Sequence, residues 1–335
     1  GMNIKRSFCI KGVGKYLPKT IVSSQEIEAE YGLPKDWINR TVGVETRHIA
    51  KGESNTMMGV AALEDALEDA GLEIKNIDCL IAASATFDYV LPSRSSLLKN
   101  HFKEADDLDF PCLDINTVCT SFITALDYAS HLLATSNYQN IAIVSSEISS
   151  KGLDPSNAET FCLFGDGAAA VILSRTKEMA GLINYELKTY SEGAKYTIIE
   201  GGGNANHSKD HPYNPQLFSF KMEGKKLLRS AMENLPSFFD NFFQKLPVNL
   251  TAIDWIIPHQ ASKMGMRLIT ALNGDNSKNI FNQLSKYGNC IAASIPLSLV
   301  LSIKQKKLKE GGTCMLIGTA AGMSISGMLL KYKSQ

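Results

Sequence analysis

Two rhythms of apolar residues alternate along the chain. Residues 77–85, IDCLIAASA, and 140–147, NIAIVSSE, are near-continuous apolar runs, the pattern of a strand buried on both faces. Residues 7–14, SFCIKGVG, 110–115, FPCLDI, and 165–174, GDGAAAVILS, predict further strands, the last fed by a turn. Between them the spacing becomes helical. SNTMMGVAALEDALEDAG, 54–71, predicts a helix capped by Ser54 and ended by Gly71, and SFITALDYASHLLA, 121–134, predicts a second.

The remainder repeats this grammar. Strands are expected at 181–191 and at 254–259, where DWIIPH ends on a histidine. Helices are expected at 221–246 with a break near Pro236, at 261–272, and at 290–308 with Pro296 in an early turn. Two last strands, 314–322 and 323–332, meet at a glycine turn. Strand–helix alternation predicts an α/β fold with parallel pairing and helical crossovers. The similar order in each part predicts a duplication, with halves at 1–177 and 178–335. The polar, glycine-rich stretch 200–215 predicts a surface loop. Its GGGNAN does not open a helix after a strand, so it does not fit a phosphate-binding loop.

Composition narrows the function classes. The 335 residues carry 34 basic and 34 acidic side chains, with no long basic run, which argues against a nucleic-acid partner. Seven cysteines, an odd count without a CxxC pair, argue against a disulfide framework or a zinc site and for a reducing, cytoplasmic setting. The opening GMNIKRSFCI lacks the apolar segment of a signal peptide, and Gly1 before Met2 reads as a tag remnant. No apolar run approaches the roughly 20 residues a membrane helix needs.

Three features sit at the carboxyl ends of expected strands or just beyond, the edge where α/β sheets bind ligands. Cys119, in NTVCTSF, lies at the start of a helix, whose dipole would lower a thiol pKa and yield a nucleophile. A packing role is the alternative, and it is the reading for Cys9, Cys79 and Cys314 inside apolar strands. His259, in PHQAS, can donate a hydrogen bond or act as a base, or else cap the next helix. Asn289, in YGNCIAASIP, is a polar donor or an ordinary turn residue. His48, His101 and His131 read as structural, and His207 and His211 as solvated.

Together with DWINRTVGVETRHIA (36–50), LFGDGAAAVIL (163–173) and GTAAGMSISG (318–327), these stretches resemble the β-ketoacyl-[acyl-carrier-protein] synthase III family over nearly the whole chain. The resemblance implies a thiolase-like fold of duplicated halves in α-β-α-β-α layers, the first half bearing Cys119 and the second His259 and Asn289. It implies a decarboxylating Claisen condensation of an acyl thioester, on coenzyme A or a carrier protein, with malonyl carrier protein through an acyl-Cys119 intermediate. The oxyanion hole would be the backbone N–H groups of Cys119 and Ala321. Substrate contacts would come from Trp37, Arg40, Leu91, Phe164, Gly224 and Ser262, and a carrier-protein patch from Lys263 and Arg267. Acyl carrier protein would be the partner, the assembly a homodimer for which the apolar 140–147 run is suited, and no metal or bound cofactor would be required.

The match departs from the family's common bacterial form at the positions that choose the donor. Where that form has coenzyme-A-binding arginines this chain has Thr41 and Ala158, and Ser262 and Met264 replace an asparagine and a basic residue. Leu91 stands where an aromatic residue often closes the acyl pocket, Cys290 follows Asn289, and the tail reads GTAAG rather than GGG. An unusual acyl donor, in a specialised lipid or polyketide pathway or in fatty-acid initiation, is the expectation. Two alternatives stay open: a hydroxymethylglutaryl-CoA synthase-like enzyme, which needs a glutamate acid such as Glu147 or Glu200, and a non-catalytic partner of a condensing enzyme.

Overall fold

The computed structural model describes residues 3–246, 253–274 and 279–335; Gly1 and Met2 lie outside it. The chain starts with β1 (Arg6–Ser7), β2 (Cys9–Tyr16), β3 (Thr20–Ser23), α1 (Ser24–Tyr31), α2 (Trp37–Thr41), β4 (Thr46–Ile49) and α3 (Asn55–Ala70). It continues through β5 (Cys79–Ala83), α4 (Arg94–His101), β6 (Cys112–Ile115), α5 (Ser121–Thr135), β7 (Asn140–Glu147), α6 (Ala158–Phe161) and β8 (Gly167–Ser174). Then come β9 (Gly181–Thr189), β10 (Thr197–Ile198), β11 (Lys221–Met222), α7 (Gly224–Gln244), β12 (Trp255–Pro258) and α8 (Lys263–Asn273). The last elements are α9 (Leu284–Tyr287), α10 (Ser294–Lys304), β13 (Thr313–Ala320) and β14 (Ser324–Lys331).

Local signals explain the boundaries. Ser54 accepts the Met57 N–H at 3.0 Å and starts α3, and Gly71 ends it at φ +68°, a left-handed turn that suits glycine. Pro296 falls in the first turn of α10, where its missing N–H costs nothing. Pro236, by contrast, does not break α7, which runs unbroken from Gly224 to Gln244. The proline and Met232, whose carbonyl it deprives of a donor, are both exposed, so water can take the bond.

The strands form two five-stranded sheets, ordered β2-β8-β7-β5-β6 and β1-β9-β14-β13-β12. The expectation of parallel pairing holds only for β5–β6, β5–β7 and β12–β13. Pairs β2–β8, β7–β8, β13–β14, β9–β14 and β1–β9 are antiparallel, so both sheets are mixed. The reason is connection length: β13 returns into β14 through three residues, too few for a helical crossover. The strand expected at 7–14 is in fact two. Arg6–Ser7 joins the second sheet, and Cys9–Tyr16 joins the first.

Alternation along the strands assigns the layers. In the first sheet Ile81, Ile143 and Val171 face α5 and α10 in the middle of the molecule, whereas Leu80, Ala142 and Ala170 face α3 and α4 outside. In the second, Cys314 and Leu316 turn to the middle layer, and Met315 and Ile317 meet α7 and α8. The order is helix, sheet, helix, sheet, helix. Strand β7 lies in the interior of its sheet, so the apolar 140–147 run is not a sheet edge; β2 and β6 are the edges. Among the described residues no helix is long and apolar enough to cross a membrane.

Replacing Pro236 with alanine restores an i→i−4 bond in an exposed stretch of α7. Pro236→Ala is expected to stabilise the protein by roughly 1–3 kcal/mol in denaturant unfolding. A loss of stability would show that Pro236 itself supports α7.

Candidate active site

Cys119 sits in a 3-10 turn, Val118–Thr120, that runs directly into α5. Val118 is left-handed at φ +54°, a costly conformation for a β-branched residue, of order 1–3 kcal/mol. Side chains hold it there. Asn116 Oδ1 accepts the Val118 N–H at 2.8 Å, and Ser121 Oγ accepts the Thr117 N–H at 2.9 Å while donating to the Val118 carbonyl at 2.7 Å. The turn places Cys119 in an apolar cluster with Ala85, Phe161, Phe164, Phe220 and Met222.

The helix-start argument predicts a lowered thiol pKa; the structure reverses it. Burial, with the Glu147 charge adding to it, pushes the Cys119 thiol up to about 12, although hydrogen bonds from the backbone N–H of Ala321 and of Cys119 itself pull the other way. Cys119 is a thiol at rest. The two amides that reach its sulfur are those expected to form an oxyanion hole. The tail supplies the second without strain: Gly322 takes the positive φ, +136°, and Ala321 does not.

His259 follows β12, 5% exposed, with its N–H bonded to the Ile317 carbonyl at 2.8 Å. Its Nδ1 is buried and has no partner, and burial drives its pKa down to about 4, so the ring is neutral at pH 7. Gly318 of β13 makes room for it. A Cβ there would lie 3.0 Å from His259 Cβ and 3.3 Å from both Thr120 Cγ2 and Ile295 Cδ1. At that point the histidine, the cysteine turn and the start of α10 converge.

Asn289 is 4% exposed and is fixed by its backbone, which donates to the Leu163 carbonyl at 2.9 Å and accepts from Gly165 at 3.0 Å. Its Oδ1 takes the Ile291 N–H at 2.8 Å, and its Nδ2 donates to the Ala261 carbonyl, two residues past His259, at 3.1 Å. One Nδ2 hydrogen is left for a ligand.

Residues 113–191 match the family model for 3-oxoacyl-[acyl-carrier-protein (ACP)] synthase III, and residues 243–332 match the model of its C-terminal part. A beta-ketoacyl-[acyl-carrier-protein] synthase III of Coxiella burnetii (strain RSA 331 / Henzerling II) is 31% identical over 96% of this chain and 98% of its own length. The chain belongs to the 3-oxoacyl-[acyl-carrier-protein] synthase III family. It is a condensing acyltransferase with a thiolase-like fold. The crystal structure of the synthase III from Aquifex aeolicus VF5 agrees at a TM-score of 0.86, with 26% identity, 97% of this chain and 100% of that one covered. The priming beta-ketosynthase of the R1128 polyketide pathway agrees at 0.85 over 99% and 98%, but at 23% identity the likeness is one of fold alone.

The remaining residues expected from the synthase III resemblance fall into groups. Trp37 opens α2, half-buried in the apolar cluster that includes Cys119, and Arg40 is exposed at the end of that helix. Lys263 Nζ donates to the Arg40 carbonyl at 2.7 Å, which joins the start of α8 to α2, and Ser262 caps α8 through the Gly265 N–H at 3.0 Å. Trp37, Arg40, Ser262 and Lys263 therefore share one rim. Arg267 is exposed one turn further along α8. Phe164 is buried and stacks on Phe220, ring centroids 5.1 Å apart. Gly224 starts α7 with open space beside it. Leu91, 82% exposed, stands on a surface loop with Phe87, Tyr89 and Val90, outside the apolar cluster that includes Cys119. Glu200 pairs at the surface with Lys221, and Glu147 is buried, its oxygens occupied by donors; neither is presented as an acid.

Sequence reasoning overlooked Gly318, Phe220 and the two left-handed turns. The turns had a signal: N-T-V-C-T-S at 116–121 and N-C-I-A-A-S at 289–294 are one motif used twice. Ile291 matches Val118 at φ +52°, and Ser294 Oγ accepts the Cys290 N–H at 2.8 Å as Ser121 does for Thr117.

The neutral His259 gives a pH signature. Its folded pKa of about 4 lies below the usual 6.5, so the unfolded chain binds the extra proton as pH falls from 6.5 to 4 and stability is lost across that window. A His259→Gln variant should lose roughly 2–3 kcal/mol less stability than the parent between pH 7 and 4.5. Parallel curves for the two proteins would contradict the burial argument.

Proposed function

We propose that the chain joins an acyl thioester to malonyl carrier protein with loss of CO2, using Cys119, His259 and Asn289. The observation that carries this reading is the meeting at Gly318 of the Cys119 turn, the neutral His259 and the start of α10, with Asn289 tied to the strand end that bears His259. The Cys119 sulfur attacks the thioester carbonyl, and its proton leaves with the departing thiol. The N–H groups of Cys119 and Ala321, which reach the sulfur at rest, turn to the oxygen of the tetrahedral intermediate. Malonyl thioester then enters. C–CO2 cleavage leaves an enolate whose oxygen accepts from the His259 ring and the free Asn289 Nδ2–H, donors worth about 3 kcal/mol each in such sites. The enolate carbon attacks the acyl-Cys119 carbonyl, the C–S bond breaks, and the thiolate takes a proton from solvent. A ring already neutral at pH 7 can donate without first losing a proton.

For the donor, the rim of Trp37, Arg40, Ser262 and Lys263, with Thr41 and Ala158 in place of arginines, supports a thioester other than acetyl-CoA held in the common pose, delivered on coenzyme A or a carrier protein. Lys263 and Arg267 on α8 supply the cationic ground for a carrier protein. The half-buried edge strand β6 and the apolar loop of Phe87, Tyr89, Val90 and Leu91 support a homodimer. No metal or bound redox group enters these steps.

Intact mass spectrometry after incubation with acetyl-CoA, longer acyl-CoA species and acyl carrier proteins should show one acyl adduct, mapped to Cys119 and absent from Cys119→Ala. No adduct from any donor on a folded protein would favour the non-catalytic partner reading, and tight calorimetric binding of acetyl-CoA would overturn the donor assignment.

A further inference from the structure

Glu147, at the end of β7, is fully buried, and no lysine or arginine among the described residues bonds to it. Its carboxylate is instead surrounded by donors. Oε1 accepts from the Thr86 N–H at 2.8 Å, the Thr86 hydroxyl at 2.7 Å and the Ala85 N–H at 3.1 Å. Oε2 accepts from the Ala85 N–H at 3.0 Å and from the Ala292 N–H at 3.1 Å. A carboxylate in the core without a cation is expensive, and these bonds offset only part of the cost: burial still raises its pKa.

The repeated motif shows what the group occupies. With Asn116 matched to Asn289 and Val118 to Ile291, Ala292 stands where Cys119 stands. The Cys119 N–H points at the reacting sulfur; its counterpart, the Ala292 N–H, is taken by Glu147. Ala292 is the residue after the left-handed Ile291, whose own N–H is held by Asn289 Oδ1. The turn is therefore gripped at two successive amides, one by the side chain it orients and one by Glu147.

We propose that Glu147 is a positioning residue for the Asn289 turn: by taking the Ala292 N–H it holds Ile291 left-handed and so aims the Asn289 carboxamide at the enolate. This rests on the role given to Asn289 above. The same negative charge adds to burial in raising the Cys119 thiol pKa and so opposes thiolate formation. Glu147 thus acts with opposite sign on the two half-reactions.

Glu147→Gln separates them. The glutamine oxygen is drawn to the three donors on the Thr86 side, so its NH2 faces the Ala292 N–H, donor against donor; that tie is broken, while the Ala85 N–H keeps its bond to the remaining oxygen. The expected result is malonyl carrier protein decarboxylation at least 10-fold slower, with iodoacetamide alkylation of Cys119 at fixed pH at least 3-fold faster. Glu147→Asp keeps the charge but withdraws it from Ala292. It should slow decarboxylation without speeding alkylation, and it carries the comparison if the glutamine variant does not fold. Equal loss of both activities, or no change in decarboxylation, would overturn the proposal. A parent protein that forms no Cys119 adduct would instead overturn the proposed function, so the two failures are distinguishable.

Discussion

Three chains of atoms come within a methyl group's width of one another at the bare Cα of Gly318. The histidine after β12, the threonine after Cys119 and the first turn of α10 all press on that point, at 3.0–3.3 Å from where a Cβ would stand. Any side chain there would push one of them away, and the site exists only as their contact. The rest of the architecture serves this approach. The two sheets hold α5 and α10 between them, so the starts of both helices meet in the middle of the molecule rather than at its surface. A thiol placed there is removed from water, which accounts both for its high pKa and for the strength of every backbone dipole aimed at it.

The same turn was used twice and put to two purposes. Each copy spends its asparagine and serine side chains on holding a β-branched residue left-handed, a conformation that would not persist without them. In the first copy the fourth residue is a cysteine, and its own amide reaches the sulfur. In the second the fourth residue is alanine, its amide is filled by an internal carboxylate, and the asparagine that opens the turn also donates to the Ala261 carbonyl. In the function proposed above, one copy presents the nucleophile and the other a donor. The copies differ at four of six positions, Cys119 against Ala292 among them, and in what that residue's N–H faces.

Much of this was legible in advance because it depends on local signals. Ser54 and Gly71 bound α3, the unbroken apolar run 140–147 is a fully buried strand, and Cys119, His259 and Asn289 stand beyond strand ends or before a helix. What was not legible depends on partners distant in sequence. Periodicity states which face of a strand is buried but not which way its neighbour runs, so the mixed sheets were missed. The dipole at the start of α5 argues for an acidic thiol, yet Glu147 and the surrounding apolar side chains decide otherwise, and neither is local to Cys119. Pro236 is tolerated because it faces water, which its own sequence neighbourhood does not announce.

The short strand β1 ties the molecule together in a way the two-sheet description conceals. Arg6 and Ser7 pair with Leu182 and Gly181 in the second sheet, and Cys9 begins a strand of the first only two residues later. The Arg6 guanidinium also bonds Asp127 and Ser130 on α5 between the sheets. One short segment is therefore built into both sheets and the layer that separates them. Neither sheet can come apart without unpicking the other's edge, so melting is expected to be one cooperative event. During synthesis the earliest strand must also wait, unpaired, until residues more than halfway along the chain have emerged.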